Sequence, residues 1–464
     1  TVSTTFPSPG DGNTISVTAT LTDQAGNVSP SASDAATVDS SITPAPTVTI
    51  TEDANDDGLI SSSELSGDID VEVGLPAGAL AGDTITVSDG TTVTNIVLTA
   101  ADITAATVST TFPSPGDGNS ITVTATLTDQ AGNVSPSASD SATVDTTITP
   151  APTVTITEDA NDDGLISSAE LSGDIDVEVG LPAGALAGDT ITVSDGTTTN
   201  SIILTAADIT AGNVTTTFPN PGDGNTISVT ATLTDQAGNT SPSASDSATV
   251  DSSITPAPTV TITEDANNDG LISSAELSGD IDVEVGLPVG AVSGDTITVT
   301  DGTTTNSIIL TAADITAGNV TTTFPNPGDG NTISVTATLT DQAGNVSPSA
   351  SDSATVDTSI TPAPTVTITE DANDDGLISS AELSGDIDVE VGLPAGALAG
   401  DTITVSDGTT TNSIVLTAAD ITAGTVSAIF PNPGDGNSIT VTATLTDQAG
   451  NTSPSASDSA TVDS

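Results

Sequence analysis

The chain has 464 residues, 63 acidic side chains and no lysine, arginine or histidine, so its formal net charge is −63. Cysteine, methionine, tryptophan and tyrosine are also absent. These absences remove nearly every usual general base and nucleophile, the Cys/His zinc sites, and any cation that could neutralise nucleic-acid phosphates or anionic lipid. Oxygen-ligand sites for hard cations remain open, as does carboxylate-pair chemistry.

The sequence repeats with a period of 106 residues, the spacing that separates its five phenylalanines. A period of this length is typical of a whole β-sandwich domain rather than of a solenoid unit. The chain starts without an initiator methionine or a signal-like segment, so we interpret it as an internal part of a longer protein. The repeat predicts a C-terminal fragment of a preceding repeat followed by four immunoglobulin-like domains, with the boundaries 1–40, 41–146, 147–252, 253–358 and 359–464.

Short alternating segments with Gly, Pro, Asn and Asp between them predict about seven strands in each repeat. In the repeat 41–146 the predicted strands are Pro46–Glu52, Asp68–Val73, Thr84–Ser88, Asn95–Thr99, Thr107–Phe112, Ser120–Thr128 and Ser139–Asp145. Asp89-Gly90 predicts a hairpin turn, and Ala100–Ala106 one helical turn. The fragment 1–40 contains the equivalents of the last three strands. The fold class is therefore all-β, with tandem immunoglobulin-like β-sandwich domains.

The segment that joins successive repeats is short and carries two prolines. In the first case it runs from Thr146 to Pro152. Proline restricts the backbone and favours an extended, stiff connection over a flexible one. We therefore expect the domains to form an extended linear array.

One loop in each repeat matches a calcium-binding pattern position by position. Residues 53–64 read DANDDGLISSSE, which fits the twelve-residue loop of an EF-hand. Its predicted ligands are the side chains of Asp53, Asn55, Asp57 and Glu64 and the backbone carbonyl of Leu59. Gly58 falls at the sixth position, where the loop turns sharply. The flanking segments look like strands, so we expect the loop without its usual helices, between the first two strands of a sandwich.

The pattern recurs in the other three repeats. The equivalent predicted ligands are Asp159, Asn161, Asp163, Leu165 and Glu170, then Asp265, Asn267, Asp269, Leu271 and Glu276, and finally Asp371, Asn373, Asp375, Leu377 and Glu382. In the third repeat Asn268 replaces the aspartate of the fourth position, which contributes no side-chain ligand, so we expect that site to stay intact.

Other acids have more than one interpretation. Asp68, Asp70 and Glu72 share one face of a strand, where a solvated outer face is favoured over a metal site. The turns Asp117–Asn119 and Asp129–Asn133 place oxygens in tight loops, but Asp, Gly and Asn are also ordinary turn residues.

Topology predicts a second kind of cation site, where one repeat meets the next. In an immunoglobulin-like sandwich the last strand ends at the pole that faces the following domain. Asp145 would then lie opposite the turn that begins at Asp235, and a second calcium could bridge the two. The predicted junction residues are Asp39, Asp129, Asp145, Asp235, Asp251, Asp341, Asp357 and Asp447.

Several of these motifs together resemble a known family. The strings TVTITEDANDDG, SGDIDVEV and TLTDQAGNVSP, with the VDTT…PTVTI junction, are similar to bacterial immunoglobulin-like repeats. Such repeats form the extender regions of giant calcium-dependent adhesins of the repeats-in-toxin and biofilm-associated groups. The resemblance covers the whole chain. It implies an extracellular location on a bacterial cell surface, outer-membrane anchoring through other parts of the protein, and calcium both within and between domains.

The sequence and the resemblance together favour a non-enzymatic spacer that calcium stiffens and that projects a distal ligand-binding region from the cell. Its expected partners are calcium ions, several per repeat, and the neighbouring domains of the same chain. We expect no nucleic acid, no direct membrane contact and no small-molecule substrate. One alternative is a surface-layer or filament subunit that assembles by strand complementation. A lesser alternative is a polysaccharide-binding module, which the lack of tryptophan and tyrosine disfavours.

Overall fold

The computed structural model describes all residues, Thr1–Ser464, and nearly all of its regular structure is β-strand. The chain divides into two compact units. The first contains Thr1–Gly164 and Ser172–Thr249, and the second contains Leu165–Leu171 and Val250–Ser464.

The N-terminal segment and the first full repeat contain ten strands and one short helix. These are β1 Thr14–Ala19, β2 Ala32–Thr37, β3 Thr47–Ile50, β4 Leu59–Ile60, β5 Ile69–Gly74, β6 Thr84–Ser88, β7 Val93–Val97, α1 Ala100–Ala105, β8 Thr107–Phe112, β9 Ser120–Thr128 and β10 Ala138–Val144.

The same order of elements follows in the remaining repeats. The repeat 147–252 has β11 Thr153–Ile156, β12 Leu165–Ser167, β13 Ile175–Gly180, β14 Thr190–Ser194, β15 Thr199–Ile203, α2 Ala206–Ala211, β16 Asn213–Phe218, β17 Thr226–Thr234 and β18 Ala244–Asp251. The repeat 253–358 has β19 Thr259–Ile262, β20 Leu271–Ile272, β21 Ile281–Gly286, β22 Thr296–Thr300, β23 Thr305–Ile309, α3 Ala312–Ala317, β24 Asn319–Phe324, β25 Thr332–Thr340 and β26 Ala350–Val356. The repeat 359–464 has β27 Thr365–Ile368, β28 Leu377–Ser379, β29 Ile387–Gly392, β30 Thr402–Ser406, β31 Thr411–Val415, α4 Ala418–Ala423, β32 Thr425–Phe430, β33 Ser438–Thr446 and β34 Ala456–Asp463.

The strand order is that of an immunoglobulin-like sandwich. In the first repeat a three-stranded sheet has the order β3-β5-β8, and a five-stranded sheet has the order β4-β10-β9-β6-β7. All pairs are antiparallel except β4 with β10, which is parallel. The repeats 253–358 and 359–464 have the same two sheets. The chain thus crosses several times between two sheets that enclose one core, which confirms the predicted sandwich.

The core is formed by the alternating apolar residues of both sheets. In β5, Ile69, Val71 and Val73 are buried while Asp70 and Glu72 between them are exposed. Phe112, at the end of β8, is fully buried in this core. A period of two places every second side chain on the inner face, so the core can be identified directly from the alternation.

Two details of the strand prediction are wrong. Each repeat has eight strands rather than seven, because β4 lies inside the predicted metal loop and joins the second sheet. The fragment 1–40 has two strands rather than three, since only β1 and β2 pair. Phe6, where the third was expected, lies outside any strand and is 56% exposed, because the fragment has no opposite sheet to cover it.

The predicted helical turn is present as α1, a six-residue helix. Thr99 and Asp102 form a capping box, in which Thr99 accepts from the Asp102 N–H and the Asp102 carboxylate accepts from the Thr99 N–H. The Thr99 hydroxyl also donates to this carboxylate, and the bonds from the Thr99 hydroxyl and N–H lower the pKa of Asp102. No helix of the chain reaches the length and apolar character that a bilayer crossing requires.

We expect Phe430→Ala to destabilise the repeat 359–464 by about 3–5 kcal/mol, because it leaves a cavity in a closed core. Calorimetric unfolding of the full chain in calcium would measure the loss. Phe6→Ala is the matched control, since Phe6 occupies the same position of the repeat without being buried, and it should leave the unfolding profile unchanged. Equal effects of the two substitutions would contradict this account of the core.

Candidate metal centre

The predicted metal loop is organised by its own side chains around the backbone. Asp53 accepts from the N–H groups of Asp57 (3.1 Å) and Gly58 (2.9 Å) with its two carboxylate oxygens. Asn55 Oδ1 also accepts from the Asp57 N–H, at 3.0 Å. Asp57 Oδ1 accepts from the Leu59 N–H at 2.8 Å. These bonds fold the first half of the loop into a tight series of turns.

The loop backbone explains which residues stand at its fourth and sixth positions. Asp56 has φ of 58° and Gly58 has φ of 86°, both in the left-handed region. Glycine enters this region without steric cost, and Asp and Asn tolerate it better than other residues. The third repeat has Asn268 at the fourth position with φ of 57°, so the substitution preserves the backbone path.

The strand β4 lies in the second half of the loop and orients its carbonyl groups. The carbonyls of Gly58 and Ile60 accept from the N–H groups of Thr143 and Asp145, both at 2.9 Å. Successive carbonyls of a strand point in opposite directions. The Leu59 carbonyl therefore faces away from the sheet, on the side of the loop, as a backbone ligand requires.

The last predicted ligand, Glu64, is held by the loop as well. Its Oε2 accepts from the N–H and the hydroxyl of Ser61, at 2.9 and 2.8 Å. No group of three acidic side chains converges on a single point in the structure. Asp53 is 8% exposed, and the neighbouring Glu52, held by Ser66, is 5% exposed. The donor set consists entirely of oxygen, which is the chemistry that a hard cation such as calcium requires.

The other three loops repeat this geometry. Asp159, Asp265 and Asp371 each accept from the N–H groups four and five residues later, at 2.8–3.1 Å. The carboxylates of Glu170, Glu276 and Glu382 each accept from the serine three residues earlier. The pKa of Glu382 is lowered by its bonds from the Ser379 hydroxyl and N–H.

The predicted junction residues are brought together through an asparagine. In the first unit, Asn239 Nδ2 donates to the Asp145 carbonyl at 2.8 Å and to Asp235 Oδ2 at 2.9 Å. In the second unit, Asn451 donates in the same way to Asp357 and Asp447. Asp145 thus contributes its backbone oxygen here, where the sequence pointed to its carboxylate. Asn133 makes the corresponding bonds to Asp39 and Asp129.

A buried aspartate that the sequence analysis missed lies beside each junction pair. Asp83, Asp189, Asp295 and Asp401 are only 1–3% exposed. Burial raises the pKa of Asp189, and the charges of Asp235 and Asp145 raise it further. Burial likewise raises the pKa of Asp401, with added repulsion from Asp447 and Asp357. The three acids are therefore close enough in each case to repel one another.

In the second unit, Asp251, Asp295 and Asp341 line an open groove of about 380 Å³. Asp295 Oδ2 accepts from the Val292 N–H at 2.9 Å, whereas its Oδ1 is buried without a hydrogen-bond partner. The hydroxyl of Thr255, which also lines the groove, is buried and unpaired as well. Unpaired buried oxygens are rare in folded proteins, so these two oxygens fit a groove that accepts a hydrogen-bond donor or a cation.

The weaker candidates behave as ordinary structural residues. Asp68, Asp70 and Glu72 are exposed on the outer face of their strand. Asp117 accepts from Thr146 and Thr147 at the start of the linker, and its pKa is lowered, first by the Thr147 hydroxyl. Asp129 closes its turn by accepting from Asn133, which lowers its pKa.

Neither Asp83 nor Asn239 could be selected from the sequence. Asp83 accepts from the Leu80 N–H and so resembles any aspartate of a tight turn. Asn239 meets partners 94 and 177 residues away. The available signal was the recurrence of both residues in every repeat, which near-identical repeats give to all positions alike.

No family model and no curated protein matches the chain. Among solved structures, it is similar to one described for host cell surface retention of a 1.5-MDa bacterial ice-binding adhesin, with 20% identity, 68% of this chain and 99% of that one covered, and a TM-score of 0.30. A tetra-tandem repeat from the extending region of a large adhesion protein is 19% identical, with 90% of this chain and 99% of that one covered and a TM-score of 0.28. A titin I-band fragment is 11% identical, with 63% of this chain and 92% of that one covered and a TM-score of 0.31.

Proposed function

We propose that this chain is a non-enzymatic, calcium-stiffened spacer of a bacterial surface adhesin. The observation that carries the proposal is the burial of carboxylates in a chain that has no positive side chain to neutralise them. A buried charge is unfavourable unless it is paired or coordinates a metal. The twelve-residue loops and the junction acids are where such burial recurs in every repeat.

Two kinds of cation site follow from this proposal. In the loop, Asp53, Asn55, Asp57 and Glu64 would hold calcium with their side-chain oxygens, and Leu59 with its carbonyl. At the junction, Asp189 would join the predicted pair Asp145 and Asp235. Bound calcium would supply the positive charge that the chain lacks, and its binding free energy would add to the stability of the folded state.

The proposed role follows from the architecture rather than from a pocket. The repeats 41–146, 253–358 and 359–464 each have their own enclosed core, so such repeats can add length without depending on one another for folding. Short proline-containing linkers and the asparagine contacts restrict each junction. Cell-surface location and anchoring through other parts of the protein complete the proposal, on the basis of the sequence resemblance to adhesin extender repeats.

We expect Glu64→Gln to lower the calcium stoichiometry of the full chain by one ion, because it removes the carboxylate proposed to bind the ion through both oxygens in the loop 53–64. Isothermal titration or equilibrium dialysis would measure the stoichiometry. Glu72→Gln is the control: it removes the same charge from an exposed strand face and should leave the stoichiometry unchanged. A full complement of ions in Glu64→Gln would contradict the assignment of this loop.

We expect Asp295→Asn to stabilise the chain in chelator and to destabilise it in calcium. A carboxyl whose folded pKa is raised by burial favours folding when protonated, so its contribution falls as the pH rises from below about 4 toward neutrality. The amide removes this loss in chelator but would bind a cation less well.

Calorimetry at neutral and acidic pH, with and without calcium, would measure both effects. The exposed Asp282→Asn is the control for removing one charge from the same repeat. Destabilisation of Asp295→Asn in chelator and calcium alike would indicate a purely structural aspartate and contradict a junction cation.

We expect calcium to convert the chain from a flexible particle into a straight one. Four sandwiches of about 40 Å each would give a particle on the order of 160 Å long. Small-angle X-ray scattering of one sample, titrated with chelator and then with calcium, would follow the change. A scattering profile that is indifferent to calcium would exclude the stiffening mechanism while leaving the fold assignment intact.

A further inference from the structure

Asn239 lies where three segments of the first unit meet. Its Nδ2 donates to the Asp145 carbonyl and to Asp235, and its Oδ1 accepts from the Ser62 N–H at 2.7 Å. Ser62 is the tenth residue of the loop 53–64. The side chain is 3% exposed, and both polar atoms of its amide are hydrogen-bonded. One neutral side chain of a repeat is therefore bonded directly to the metal loop of the repeat before it.

The arrangement recurs within the second unit. Asn451 accepts from the Ser274 N–H at 2.7 Å and donates to the Asp357 carbonyl at 2.7 Å. Asn345 makes the same pair of bonds with Ser168 and Asp251. In each case the donor to the asparagine oxygen is the tenth residue of a loop.

The chain also contains a comparison that lacks the loop. Asn133 occupies the equivalent turn and reaches the Asp39 carbonyl at 3.1 Å. The fragment 1–40 that precedes it contains no metal loop, and Asn133 is only partly buried. Ala131 in that turn is exposed, whereas its equivalent Ala237 is 3% exposed. Burial of Ala237 and Asn239 therefore accompanies the contact with a loop.

We propose that Asn239, Asn345 and Asn451 couple each metal loop to the docking of the repeat that follows it. The proposal rests on the proposed function, since it takes the loop to bind calcium. An amide can donate to one segment and accept from another, and it brings no charge into an acidic junction. If the hydrogen bond to the asparagine forms best when the loop is ordered, calcium binding to the loop favours docking of the next repeat. Docking then raises the calcium affinity of the loop by the same factor, because such coupling is reciprocal.

The test needs a signal from one loop among four. Because the chain has no tryptophan or tyrosine, Ser63→Trp would sensitise luminescence from terbium bound near residue 63, and adding Glu64→Gln separates the signal of the loop 53–64 from that of the neighbouring junction acids. Ser63 is exposed, and alanine replaces it in the other repeats, so the position accepts substitution. Ala381→Trp provides the same signal from the loop 371–382, which is bonded to no following asparagine in this chain.

In the full chain with Ser63→Trp, we expect Asn239→Ala to weaken terbium binding to this loop by about 2- to 10-fold, the range of one net hydrogen bond. Asn133→Ala, which removes the equivalent side chain without a loop contact, should leave the affinity unchanged. With Ala381→Trp as reporter, Asn239→Ala should also have no effect. A substitution that merely weakened the turn of its own repeat would not move the affinity of a loop in the preceding repeat.

Docking is measured separately, by the distance distribution between spin labels on Ala101→Cys and Ala207→Cys, two exposed helix positions in a chain without cysteine. We expect Asn239→Ala to broaden this distribution in calcium. Normal loop affinity and an unbroadened distance in Asn239→Ala would overturn the coupling while leaving the proposed function standing. Failure of the parent loop to bind terbium, or of calcium to displace it, would overturn both.

Discussion

The main physical constraint on the structure is that it buries carboxylates in a chain with 63 acidic and no basic side chains. With no ion pair available, a buried carboxylate can be satisfied only by hydrogen-bond donors or by a bound cation. Where a carboxylate lies near the backbone, it accepts hydrogen bonds from N–H groups. Asp53 takes two within its own loop, and Asp140 takes the Ile50 N–H across the open edge between the two sheets. Carboxylates thus serve as structural acceptors that close turns and join the sheets.

Backbone donors do not satisfy every buried carboxylate oxygen at the repeat junctions. Asp295 receives one backbone donor and retains an unpaired buried oxygen, and Asp189 and Asp401 have pKa values raised by burial and by neighbouring acids. These groups disfavour the metal-free compact state at neutral pH, because each would gain free energy by exposure to water. The proposed binding of cations would act in the opposite direction, so cation concentration would affect the junctions more strongly than the cores, which need no charge compensation.

The sequence predicted most of the fold because a two-residue alternation is visible wherever a strand has an inner and an outer face. Thr84–Ser88, Thr107–Phe112 and Ser120–Thr128 were predicted with their observed bounds. The strand β4 was missed because two residues cannot show a period. The strand β7 was displaced by two residues because its bounds are set by pairing with β6, from Val93 opposite Ser88 to Val97 opposite Thr84. The candidate loop ligands could be named from the sequence because all of them lie within twelve residues, whereas Asn239 and Asp83 become significant only through contacts between distant segments.

Local and long-range organisation meet at the loop 53–64. Its first half is ordered by its own side chains, and its second half is the strand β4, which is paired with the end of the last strand of the same repeat. The residue after that strand, Asp145, offers its carbonyl to Asn239, which also takes the Ser62 N–H. In the proposed coupling, a change in the loop would reach the next repeat through the Asp145 carbonyl and the Ser62 N–H. The cores of the repeats 41–146, 253–358 and 359–464 are each enclosed within one repeat, so the proposed stiffening would act through the linkers and these polar contacts. A neutral amide suits this position, since a carboxylate could not donate and would add a further negative charge to acids that are already close together.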